Sequence, residues 1–303
     1  MKPLSLNFIQ KVIFTICFLA VSSLLAVFLY MFLASLLFPG ISTSGVHFLQ
    51  GLQLVQSVFT FILPALVLGA LFGGNAGRYL NLEKVPQPRY VLLTIACMIA
   101  AIPVMNLIIA WNESVTLPSW LNNVEQWMTA REAEAKAITD LLLDTHSVGG
   151  LLLNLLLIGV MAAIGEEFLF RGLIQRLLYE KSRNTHIAVW TTALLFSAIH
   201  LQFYGFIPRL FLGAFFGYLV VWTGNLWLSV IAHFFNNALS VIADYLMRNG
   251  HPEISGLEEI GTPAHAIMWS IVSLAISVGL LMRFYKISSK RKNAFNRTSS
   301  GEI

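Results

Sequence analysis

The sequence predicts an all-α, polytopic membrane protein of about eight transmembrane helices, with its polar site inside the helix bundle. Three observations predict it. Hydrophobic residues make up 57% of the 303-residue chain and charged residues only 11%, with a mean hydropathy of +0.74, whereas about 25% of a soluble protein is charged. Eight apolar runs approach the roughly 20 residues that cross a bilayer. The basic residues fall almost entirely into alternate connections between those runs.

The first run, Val12–Phe38, follows Lys2 and Lys11 and is too long for a signal-peptide core, so it reads as a retained span. Leu54–Phe72, Val91–Ala110 and Gly149–Leu177 follow. Ile187–Phe203 and Phe206–Val221 are shorter and share a tight connection, Leu201–Gly205. Leu226–Leu246 and Ala264–Phe284 complete the set. The long connection Trp111–Ser147 carries six acidic and two basic residues. Trp120, Val124, Trp127 and Met128, and again Ile138, Leu141 and Leu142, follow helical spacing there. A surface-lying amphipathic helix and a solvated helical cap both satisfy that pattern. The basic tail Ser288–Ile303 is expected to be disordered and attracted to anionic lipid. The chain accordingly divides into an N-terminal membrane region (1–148, with the outer segment 111–147), a core of four spans (149–247), and a last span with its tail (248–303).

Charge bias orients the spans. With a cytoplasmic N-terminus and eight crossings, the inner segments hold fourteen of the 19 basic residues, among them Arg78, Lys84, Arg89, Arg176, Lys181 and Arg183. The outer loops hold Arg131, Lys136 and Arg248, while Arg171 and Arg209 lie within spans. Positive-inside bias therefore puts both termini in the cytoplasm, and with no organelle address in the sequence a cell inner membrane is expected. A sequence pI near 9.1 does not signal nucleic acid here, because the basic residues lie in short loops and the tail rather than on one soluble face. The two cysteines, Cys17 and Cys97, both sit in apolar runs, which excludes a disulfide framework and a thiolate metal site.

Against this background six residues stand out: Glu166, Glu167, Arg171, His200, His233 and Asn237. An ionisable group at the centre of a membrane helix costs roughly 2.5–3.5 kcal/mol on insertion scales. Measured from the basic ends of their spans at 1.5 Å per residue, Glu166 lies roughly 18 Å deep, His200 roughly 21 Å, His233 roughly 12 Å and Asn237 roughly 18 Å. Three separate spans thus bring polar residues to a similar level, as one shared site requires. Glu167 and Arg171 are spaced i, i+4 and can pair along one side; Glu166 points about 100° away from Glu167 and stays free. His233 and Asn237 also share a face, which Ser240 and Asp244 extend. Other enzyme classes are excluded by absence: the chain has no His-Glu-x-x-His motif, no lysine within a span, no second aspartate well inside one, and no Gly-x-Ser-x-Gly elbow.

Glu166–Arg171 fits Glu-Glu-x-x-x-Arg, Phe196–His200 fits Phe-x-x-x-His, and His233–Asn237 fits His-x-x-x-Asn. In this order the three motifs resemble the CAAX protease and bacteriocin-processing (CPBP, Abi) family of intramembrane proteases, which contains the type II CAAX prenyl endopeptidases. The resemblance covers about Gly149–Leu246. It implies that Glu166 and His200 activate a water molecule, that His233 and Asn237 stabilise the oxyanion, and that Glu167 and Arg171 support the fourth span. It implies no required cofactor, or alternatively zinc or another divalent cation held by Glu166, His200 and His233. The expected partners are a membrane-associated protein or peptide substrate, possibly prenylated, and the lipid bilayer, with no nucleic acid. Two other readings stay open. A proton-coupled transporter would use Glu166 as a relay and show broken helices and inverted repeats. A non-catalytic scaffold or immunity factor would keep the fold without the chemistry.

Overall fold

A computed structural model describes residues 2–40, 42–256, 260–262 and 267–299, and among them the regular elements are helices. The chain runs α1 (Phe8–Leu37), α2 (Val46–Gly73), α3 (Pro88–Ser114), α4 (Asn122–Leu143), α5 (Val148–Ser182), α6 (Thr185–Ile199), α7 (Phe206–Thr223), α8 (Trp227–Arg248) and α9 (Met268–Ser299). All of these except α4 and α6 are long and apolar enough to cross a membrane, α9 through Met268–Ser289. The all-α polytopic fold is therefore as predicted.

The fifth apolar run becomes α6, an apolar helix of 15 residues. At 1.5 Å per residue it reaches roughly 22 Å, short of a hydrocarbon core of roughly 30 Å. It stops because the chain turns at once after His200: Leu201 takes a left-handed backbone conformation, φ 52°, which costs a non-glycine residue roughly 1–2 kcal/mol. Asn112, near the end of α3, pins this turn. Its amide donates to the Phe203 carbonyl at 2.9 Å, and its side-chain oxygen accepts from the Ile207 N–H at 3.0 Å.

The remaining ends follow local chemistry. Asn7 and Gln10 form a capping box at the start of α1. Ser147 caps α5 through the Gly150 N–H, and Asn184 caps α6. In the middle of α3, Pro103 lacks the N–H a helix needs. Ser273 of α9 sits beside the break: its hydroxyl accepts from the Val104 N–H at 3.2 Å and donates to the Ala100 carbonyl at 2.5 Å. Those two backbone groups would pair with each other in a regular helix, so α9 fastens to α3 where α3 is weakest.

Around the outside, large apolar side chains such as Leu24, Phe28, Leu36, Ile271 and Leu274 remain exposed, as a lipid-facing surface requires. The predicted outer helix is α4, and it lies over the α6–α7 turn. The Trp127 and Phe203 rings are 5.3 Å apart, Thr129 Oγ1 and Tyr204 Oη are 3.0 Å apart, and Glu132 accepts from the Tyr204 N–H at 3.5 Å. Leu142 is buried, but Trp120, Val124, Trp127, Ile138 and Leu141 stay exposed. The protein thus leaves most of the α4 apolar face uncovered, as a helix lying on a membrane surface would. The expectation of a disordered tail is corrected: α9 continues as helix through Ser299, and 300–303 lie outside the described residues. So do 264–266, the predicted start of the last span.

Candidate active site

The site is built on α5, a long span interrupted by two π-helical stretches, Leu155–Met161 and Phe168–Ile174, with Glu166 and Glu167 in the α-helical segment between them. Such widened turns occur often at functional sites. The adjacent glutamates face different surroundings, as the 100° helical step predicts. The Glu167 side chain is fully enclosed, whereas that of Glu166 keeps 18% of its surface open.

Glu167 is the hub of a buried network. Its Oε1 accepts from Arg171 Nη1 at 2.7 Å and from His233 Nδ1 at 2.8 Å, and its Oε2 accepts from the Ser229 hydroxyl. The predicted i, i+4 pair with Arg171 is present, and it extends to α7 and α8. Arg171 Nη2 donates to the Gly213 carbonyl at 3.1 Å, and one turn along, Gln175 Nε2 donates to the Gly217 carbonyl at 3.2 Å. A side chain at either glycine would displace these contacts. A Cβ on Gly213 would stand 3.0 Å from Arg171 Nη2, and one on Gly217 would stand 2.5 Å from Gln175 Oε1.

This network sets the tautomer of His233. An ionised carboxylate only accepts hydrogen bonds, so His233 Nδ1 is the donor, and in the neutral ring Nε2 carries the lone pair. His200 follows the same logic. Its Nδ1 lies 2.7 Å from the Phe196 carbonyl oxygen, which can only accept, so its Nε2 is also free. Both Nε2 atoms converge on Glu166 Oε2, at 3.9 Å from His200 and 3.8 Å from His233. These gaps are too wide for direct hydrogen bonds and suit a water molecule bonded to both sides. Phe196 holds the group together: its ring meets His200 at 5.0 Å and His233 at 5.9 Å, and the Arg171 guanidinium stacks over it at 4.3 Å. Phe216 stacks on His233 from the other side at 5.4 Å.

Asn237 lies on the same face of α8 as His233, but part of its amide is already engaged. Nδ2 donates to the Ile158 carbonyl, inside the first π stretch, at 2.9 Å. An amide carries two N–H donors, so one stays free. Further out, the predicted polar stripe is structural: Arg248 pairs with Asp244 at 2.7 Å and reaches Asp140 of α4 at 3.4 Å.

Glu166, His200 and His233 offer the donor types of a catalytic zinc site, but their spacing does not fit one as they stand. Two ligands of a tetrahedral zinc ion are about 3.4 Å apart, closer than the 3.8 and 3.9 Å found here. No group of three His, Cys, Asp or Glu side chains among the described residues is spaced to hold a metal ion as it stands.

The sequence reading brought together Glu166, Glu167, Arg171, His200, His233 and Asn237; the structure links the first five through their side chains, whereas Asn237, one turn of α8 from His233, bonds to the Ile158 carbonyl. That reading did not include Ser229, which lies four residues before His233 and so on its face, a spacing that could have revealed it. Nor did it give a role to Arg209, which donates to the Gln202 carbonyl at 3.2 Å and to its side-chain oxygen at 2.9 Å in the turn after His200.

The fold and the cluster define a multi-pass helical membrane protein with buried carboxylates and imidazoles at its centre. Residues 148–239, the segment that holds the three motifs, match the family described as type II CAAX prenyl endopeptidase Rce1-like. The chain is also 30% identical over 107 residues to the uncharacterized protein YpbD of Bacillus subtilis (strain 168), an alignment covering 33% of this chain and 52% of that protein. The chain thus spans about half the length of the curated relative it matches. No solved structure matches the chain.

Proposed function

We propose that this protein is an intramembrane endopeptidase that hydrolyses peptide bonds in membrane-associated protein or peptide substrates, with prenylated CAAX-type chains as one candidate class. The observation that carries the reading is the convergence of two Nε2 lone pairs on Glu166 Oε2. A water molecule between Glu166 and His200 donates its protons to both. Glu166 takes one proton as the oxygen attacks the scissile carbonyl, and the tetrahedral intermediate then collapses as that proton passes to the leaving amine. The free N–H of Asn237 stabilises the oxyanion; His233 joins it only as imidazolium, its second proton taken from bulk water before the attack and returned after product release. Glu167 and Arg171 orient His233 and take no part in bond making. Glutamate acts on water directly in this reading, and no step runs through a metal.

Two features count against the other readings. α5 is continuous through its π stretches, whereas a transporter site of the inverted-repeat kind uses broken helices. A scaffold without chemistry has no use for a partly open glutamate facing two imidazoles, a placement costly in lipid. The test is incubation of purified wild-type and Glu166→Gln protein with membrane-protein and prenyl-peptide substrates, read by mass spectrometry. New peptide termini with wild type alone support the proposal. Identical digests from both proteins overturn it.

A further inference from the structure

The polar face of α8 continues past the candidate active site. His233, Asn237, Ser240 and Asp244 follow one another at steps of four, three and four residues, which keeps them within roughly 60° round the helix. From His233 to Asp244 the face runs roughly 16 Å toward the α4 end of the bundle. Ser240 is exposed on it, and Asn236 and Asn237 are half-buried. Leu239 and Ile242 are exposed as well, at 43% and 40%, but they lie roughly 130–170° away round the helix.

α8 therefore has two open faces. The apolar one suits lipid. The polar one looks into the bundle, since Asn237 Nδ2 donates to the Ile158 carbonyl of α5 at 2.9 Å, and Arg248 pairs with Asp244 at 2.7 Å and with Asp140 of α4 at 3.4 Å. Ser240 lies between these two ties. Among the described residues its hydroxyl bonds only within its own helix, donating to the Asn236 carbonyl at 3.3 Å. An exposed hydroxyl there marks a gap between helices, and a polar stripe on a span normally lines a water-filled cavity or the bundle interior.

The opposite approach to the site is packed. Leu169, Phe170 and Leu173 of α5, Val189 and Ala193 of α6, and Leu228 of α8 are at most 4% exposed. The bonds from Arg171 to Gly213 and from Gln175 to Gly217 close α5 on α7 at the same level. The open parts of Glu166 and His200, 18% and 26% of their side chains, do not reach water through that end.

We infer that Asn236, Ser240 and Asp244 line a water-filled cleft that leads from the α4 end of the bundle to Glu166 and supplies the water consumed in hydrolysis. Its use rests on the peptidase reading; its hydration does not. Each cleavage consumes one water molecule, whose oxygen and one hydrogen enter the new carboxyl group while the other hydrogen goes to the amine. A narrow cleft is enough for this, and the peptide can still enter sideways between helices.

The experiment measures labelling of single cysteines by a charged, impermeant methanethiosulfonate, on a background lacking Cys17 and Cys97. Ser119→Cys and Ser182→Cys mark the two sides of the membrane. Ser240→Cys should react at least about tenfold faster than Leu239→Cys and Ile242→Cys, because an apolar setting suppresses the reactive thiolate. It should react from the side on which Ser119→Cys reacts. Equal rates at the three positions, or reaction of Ser240→Cys only from the Ser182→Cys side, would overturn the cleft. Cleavage is the second readout. A bulky adduct on Ser240→Cys should lower kcat at least about tenfold with little change in KM, and its removal by a thiol reductant should restore kcat. The same adduct on Ser119→Cys should leave kcat unchanged. An unchanged kcat in labelled Ser240→Cys would overturn the supply of water by this route. Absence of cleavage by wild type would instead defeat the peptidase reading, and the labelling rates would still decide whether the cleft is hydrated.

Discussion

Glu167 of α5 and His233 of α8 are joined by a 2.8 Å hydrogen bond between Oε1 and Nδ1, in a part of the bundle where the Glu167 side chain has no exposed surface. This bond ties the Glu-Glu-x-x-x-Arg motif to the His-x-x-x-Asn motif and turns His233 Nε2 toward Glu166. The Ser229 hydroxyl supports it by bonding the other carboxylate oxygen. Ser229→Ala is expected to cost about 1.5–3 kcal/mol, the range for a hydrogen bond to a charged group, and to lower the melting temperature in detergent. Peptide cleavage should fall only modestly, because Arg171 still holds Glu167 in place. An unchanged melting temperature would mean that the hydroxyl contributes nothing to the network.

Arg171→Ala should be more severe. It strips Glu167 of its cationic partner in an enclosed site, a change that typically costs about 3–5 kcal/mol. It also removes the tie to the Gly213 carbonyl and the stacking on Phe196. Low yield and a broad unfolding transition are expected. Normal yield and stability would show that water solvates the pair.

The proposed catalytic residues make a different prediction. Glu166→Gln, His200→Ala and His233→Ala should each abolish cleavage while leaving membrane insertion intact. Asn237→Ala should lower kcat by about 100–1,000-fold, the usual effect of losing one oxyanion donor. Near-normal turnover by Glu166→Gln would remove Glu166 as the base.

Much of this architecture could be read from the sequence because it depends on helical repetition. The spacing of Glu167 and Arg171 predicted their pairing, and the common depth of Glu166, His200 and His233 predicted their meeting. What could not be read depends on contacts between helices. Gly213 and Gly217 matter because their carbonyls and missing side chains admit Arg171 and Gln175, and nothing within α7 announces this. Asn112 read as the start of a loop, yet it fastens the turn after His200. The early end of α6 rests on a left-handed leucine, a conformation that leucine does not signal. The helical continuation of α9 to Ser299 was hidden by its polar composition.

Metal content separates the two catalytic types. If Glu166 acts on water directly, purified protein should hold no stoichiometric zinc by elemental analysis, and chelators should inhibit weakly. The alternative requires Glu166, His200 and His233 to close from their present spacing of 3.8–3.9 Å to about 3.4 Å. One tightly bound zinc per chain, lost together with activity in His200→Ala, would establish the metallopeptidase form.

The last prediction concerns sidedness. We propose that both termini and the α5–α6 connection are cytoplasmic, because the basic residues collect there, with the short α6 serving as an eighth crossing. α4 then lies on the outer face, over the turn that follows His200. Substrate should enter from the cytoplasmic half or sideways between helices. α4 should be dispensable for the chemical step but not for the stability of the α6–α7 turn. Single cysteines, on a background lacking Cys17 and Cys97, can decide the orientation. A cysteine replacing Ser182 should react with an impermeant reagent only after the membrane is opened, because Ser182 ends α5 beside Lys181 and Arg183. One replacing Ser119, just before α4, should react in intact cells. The reverse pattern would invert the protein and move the substrate entrance to the outer face.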